Sequence, residues 1–125
     1  MARLGRRSLA LVVSLSLGAI ALSACGTGAA VTDARTACTF ITKAIALENR
    51  SVKPGLSAAQ QTSLSNAALS ELLHATPYAA AATSADGSWN PLQTTLEEAN
   101  RVPLKLEVPA LTRLCQVANS QTPYL

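Results

Sequence analysis

The sequence predicts an all-α domain, a small bundle of about four helices. Apolar residues recur at spacings of three and four over long stretches, which is the mark of one buried helix face. The chain is rich in Ala, Leu, Gln and Glu, and no strand pattern competes with the helical one. Ser, Asn, Pro and Gly then fall where helices would have to start and stop.

In the first helix, Ala34, Ala37, Cys38, Ile41, Ala44 and Ile45 form the inward stripe. It is expected to begin at Thr32, with Asp33 in a first turn that favours an acid, and to end near Arg50. Lys53-Pro54-Gly55 is a turn, because Pro fixes φ and Gly tolerates the positive φ of a type II turn. Ser57-Ala58-Ala59-Gln60 has capping-box spacing, and Leu64, Ala67, Ala68, Leu72 and Ala75 continue as the stripe of a second helix. Thr76-Pro77 is expected to close that helix and restart a short alanine-rich turn through Ala82, followed by a loop over Thr83 to Ser88.

Asn90-Pro91-Leu92-Gln93 offers a cap, a Pro at the first helical position and a reciprocal Gln for a third helix. Leu92, Leu96 and Ala99 face inward there, and Glu97 with Arg101 is spaced for an ion pair one turn apart. Leu104, Val108, Leu111, Cys115 and Ala118 form the stripe of the last helix. An interior Pro costs about 3 kcal/mol, so this helix is expected to start at Pro109 rather than run through it. Residues 32 to 120 thus make one helical domain, and residues 121 to 125 a frayed C-terminal tail.

Ahead of the domain, Arg3, Arg6 and Arg7 precede an apolar stretch from Ser8 to Leu22, which reads as a secretory signal. The stretch is shorter than the roughly 20 apolar residues that a membrane span needs. It closes on Leu22-Ser23-Ala24-Cys25, which resembles the lipobox of bacterial lipoproteins. The resemblance implies cleavage between Ala24 and Cys25, removal of residues 1 to 24, and a diacylglycerol thioether on Cys25. It also implies further acylation, such as palmitate, on the new amino group. Two or three acyl chains hold a domain on a bilayer where one chain does not. Residues 25 to 31 then serve as lipidated cysteine and tether, on the exported side of the cell membrane. Arg6-Arg7-Ser8-Leu9 also resembles part of a twin-arginine signal, although the general secretory route is favoured.

The signal accounts for the basic balance of the whole chain, a formal charge of +3. Without Arg3, Arg6 and Arg7, seven bases face seven acids, so nucleic acid is not an expected partner. With Cys25 lipidated, Cys38 and Cys115 remain as a pair on the side of the membrane where disulfides persist. The competing reading is two separate buried thiols. A catalytic thiol has less support, since Cys38 has no CxxC partner.

Few residues suggest chemistry. Glu71-Leu72-Leu73-His74 puts a carboxylate and the sole histidine on one helix face, as in ferritin-like metal bundles, but the second Glu-x-x-His of such centres is missing. His74 and Tyr78, four apart, could approach haem if the helix ran through Pro77. The simpler expectation is that His74 sits in a last turn and suits the helix dipole there. Pro109 to Cys115, with the paired cysteines, resembles the mycobacterial haem-binding haemophore family over that segment alone, and lends no ligand residue. Trp89 is expected to close one end of the core. Glu97 and Glu98 are adjacent and diverge, and no Gly-x-Ser-x-Gly elbow is present, so an enzyme is not expected. The expected function is a non-catalytic binding module without a cofactor, acting on an envelope protein or small apolar ligand. The alternative is a haem or metal carrier using His74 with Tyr78 or Glu71.

Overall fold

The computed structural model describes residues 26 to 121, so Ala24, Cys25, the signal and residues 122 to 125 of the expected tail lie outside the described residues. Four α-helices and one 3₁₀ turn follow in order: α1 (Gly26–Ser51), α2 (Ala58–Ala85), the 3₁₀ turn (Gly87–Trp89), α3 (Asn90–Glu98) and α4 (Leu104–Ser120). There is no strand among the described residues. The domain is the all-α bundle that the periodicity predicts.

α1 and α2 form an antiparallel hairpin, the most extensive helix pair of the fold. Ser65 meets Glu48 near the turn, and Tyr78 and His74 meet Phe40 farther along. The turn contains Gly55 at φ +91°, the left-handed conformation that glycine adopts without a Cβ penalty. Ser57 then starts α2 as a full capping box: its hydroxyl accepts from the Gln60 N–H, and the Gln60 side chain accepts from the Ser57 N–H.

Alanine dominates the seam between these helices. α1 buries Ala30, Ala34, Ala37 and Ala44 completely, and α2 does the same with Ala68, Ala75, Ala79 and Ala82. Side chains this small let two helix backbones approach closely, and ordering them costs no rotamer entropy. They also bury little apolar area each. The larger contributions come from Ile41, Leu92, Leu96 and Leu111, each worth roughly 1.5–3 kcal/mol of transfer free energy.

α4 returns antiparallel to α1 and is fastened to it twice. Cys38 and Cys115 stand at disulfide distance, S–S 2.12 Å and Cα–Cα 5.4 Å, joining positions 77 residues apart. One turn away, Arg35 donates from Nε to the Ala118 carbonyl at 3.0 Å and from Nη2 to the Gln121 carbonyl. A cation from a neighbouring helix thus satisfies the carbonyls that α4 leaves open at its C-terminus.

Three expected boundaries are corrected. α1 begins at Gly26 rather than Thr32, so residues 26 to 31 are helix rather than tether, and Asp33 lies beyond the first turn. Ala30 and Val31 are buried, which supplies the packing that extends the helix backward. α2 does not stop at Thr76 but continues through Pro77 to Ala85. Pro77 leaves the carbonyl four residues back, that of Leu73, without its donor. Leu73 is 60% exposed, so water can take that place, while burial of Ala79 and Ala82 offsets the loss. α4 likewise begins at Leu104 and runs through Pro109. Pro109 and Lys105, whose carbonyl it leaves free, are both exposed, whereas Leu104 is buried.

The α2–α3 connection is a helical turn rather than an open loop. Asp86 caps it, its Oδ1 accepting from the Ser88 N–H at 2.9 Å, and this holds the Asp86 carboxyl below its ordinary 3.8. Asn90 is therefore inside α3, not its cap, and Pro91 falls in the first turn, one residue past the first helical position expected for it. Gln93 does not close a capping box; it donates to Glu97. Arg101 pairs with Glu98 at 3.6 Å instead of Glu97, because the chain leaves α-helical geometry after Glu98.

Candidate functional site

A cleft of about 360 Å³ opens at the end of the bundle where α1 finishes. One wall is the hairpin, through Glu48, Ser65 and Leu69; the other is the α3–α4 connection, from Ala99 through Leu104. Leu96 and Leu104 are buried on either side of that connection, which brings it back against the hairpin.

Glu48 sits on the buried face because it continues the α1 stripe, four residues beyond Ala44 and seven beyond Ile41. It is only 8% exposed. Its Oε2 accepts from the Ser65 hydroxyl at 3.4 Å, a long contact for a carboxylate, and the described residues give it no salt bridge. The Glu48 backbone carbonyl accepts from the Ser51 hydroxyl at 2.7 Å, so Ser51 ties down the end of α1 without neutralising the carboxylate. An acid in the last turn of a helix also faces the negative end of the macrodipole. Burial, weak partnering and position all act against this side chain.

A second constellation lies on the outer surface of the hairpin. Phe40 of α1 stacks on Tyr78 of α2 with ring centroids 5.8 Å apart and planes 17° from parallel. His74 lies 5.8 Å from the same ring, and the Lys43 ammonium stands 5.4 Å from its centroid. His74 and Tyr78 thus share the face that their spacing implies. Because α2 runs on past Pro77, His74 is inside the helix and not in a last turn, and the dipole explanation for it falls. Glu71 is half-buried one turn earlier and makes no hydrogen bond or ion pair among the described residues. Among those residues no three His, Cys, Asp or Glu side chains stand together to hold a metal.

Trp89 closes the opposite end of the core, 3% exposed, with its indole N–H unpartnered. Glu48 is the site residue that sequence reasoning missed. Its signal was present: an acid in register with an apolar stripe is a buried acid. No protein-family model, curated protein or solved structure matches the chain.

Proposed function

We propose that the chain is a lipid-anchored binding module of a bacterial envelope, held on the exported side of the membrane through acylated Cys25 and without catalytic activity. The observation that carries this reading is Leu22-Ser23-Ala24-Cys25, closing a basic and then apolar leader. Among the described residues no helix is long and apolar enough to cross a membrane.

The bundle suits such a role. α1 starts at the residue after Cys25, and 22 residues at 1.5 Å each separate Gly26 from Glu48, about 33 Å along the axis. The cleft is therefore presented at the end of the domain away from the anchor. A stapled helical post with a cleft at its tip displays a binding site to the space beyond the headgroups.

The test is fractionation of cells expressing the full chain and its Cys25→Ser variant. The parent protein should sediment with membranes and carry a diacylated N-terminal peptide by mass spectrometry. The variant should appear in the soluble fraction. Membrane retention of the variant would overturn the anchor.

A further inference from the structure

We propose that the cleft beside Glu48 binds a small organic cation, a primary ammonium on an apolar body of a few carbons. The assignment rests on the reading of the domain as a binding module, and does not depend on the anchor. A buried carboxylate is costly to the fold unless it is paired and hydrogen-bonded. Here the carboxylate has one long contact from Ser65 and no cationic partner among the described residues. It also opposes the α1 dipole. What the fold leaves unpaid at Glu48, a ligand cation would supply.

The space beside it fits that chemistry. Its volume, about 360 Å³, lies at the small end of the range for small-molecule pockets. Leu69, Val102 and Leu104 offer apolar wall, while Glu48 and Ser65 are the polar groups on the hairpin side. An ammonium has three donors and no acceptor, so it can bond Glu48 Oε2 and the Ser65 hydroxyl at once while its hydrocarbon faces the leucines. Arg101 is the cation among the residues that line the cleft, but it is paired with Glu98 and its side chain is 75% exposed. At that exposure its charge is largely screened by solvent.

The test is a titration of the ¹⁵N-labelled full chain, in zwitterionic detergent micelles, with butylammonium chloride and separately with the neutral 1-butanol. Butylammonium should give saturable amide shifts at Ser65, Leu69 and the segment from Ala99 to Leu104. It should bind at least about tenfold more tightly than the alcohol, the ratio expected of a charge-assisted hydrogen bond. Glu48→Gln keeps the shape and removes the charge, so it should lose that preference. Ser65→Ala should keep it at reduced affinity, with both variants checked for an unchanged helical spectrum. Should Glu48→Gln fail to fold, the comparison of ammonium with alcohol on the parent chain decides alone. Equal binding of the two probes, shifts at other residues, or no saturation would overturn the proposal. Membrane fractionation reads the anchor and this titration reads the cleft, so the two proposals can fail separately.

Discussion

Breaking the Cys38–Cys115 link should cost this domain a large share of its stability. The link closes a loop across 77 residues, which the chain-entropy argument values at about 4.5 kcal/mol. Domains of about a hundred residues are stable by roughly 5–15 kcal/mol in total. Half of the buried apolar residues here are alanines, so the core gives less than average per residue and the link weighs correspondingly more. The direct experiment compares thermal melts of the oxidised protein, the same protein reduced, and the Cys38→Ala/Cys115→Ala variant. Alanine is chosen because serine would bury unpaired hydroxyls at positions only 2% and 7% exposed. At roughly 4–8 °C per kcal/mol, the midpoint of the reduced protein should fall by about 18–36 °C. A fall of less than about 5 °C would refute the loop-entropy reasoning. Arg35 sharpens the test because its clamp on Ala118 and Gln121 lies one turn from the link on both helices. Arg35→Ala should fray the end of α4 at small cost while the link is intact, and cost about 1 kcal/mol more once it is reduced.

Ala75 is fully buried in the α1–α2 seam, so Ala75→Leu should lose about 1–3 kcal/mol in urea denaturation; a neutral effect would mean that the seam is loose. Ser57→Ala removes one half of the capping box and should cost about 1 kcal/mol, with helix loss confined to the first turn of α2 by amide exchange. The Asp86 carboxyl is lowered by the Ser88 N–H and then the Ser88 hydroxyl, so its contribution is present above its ordinary 3.8 and disappears as pH falls through the lower folded value. A carbon-detected titration of Asp86 should place its midpoint below 3.8, and a midpoint at or above that value would remove its role as a cap.

What could be read from the sequence divides along a physical line. Gly55, the Ser57 box and the inward set Leu92, Leu96 and Ala99 were legible because each depends on a few neighbouring residues. Pro77 and Pro109 were misread for the converse reason. Their local cost argues for a break, and only tertiary burial on the other face of each helix outweighs it. The early start of α1 belongs to the same class, since Gly26 to Val31 are poor helix evidence until Ala30 and Val31 find the core. Of the cleft, only the burial of Glu48 left a trace in the sequence, as an acid in register with the α1 stripe. Its walls come from residues 48, 65, 69 and 99 to 104, which nothing short of the completed bundle brings together.

The alanine seam has a consequence for communication within the molecule. Longer core side chains can switch rotamers, and a helix interface built from them can step between alternative packings. A methyl group has no rotamer to switch. The alanine positions of the α1–α2 hairpin therefore offer few alternative packings, and rotamer changes within it are left to larger side chains such as Ile41 and Leu72. Where alanine meets alanine the two long helices should move as one stiff body, and a displacement at one end of the hairpin would be carried to the other.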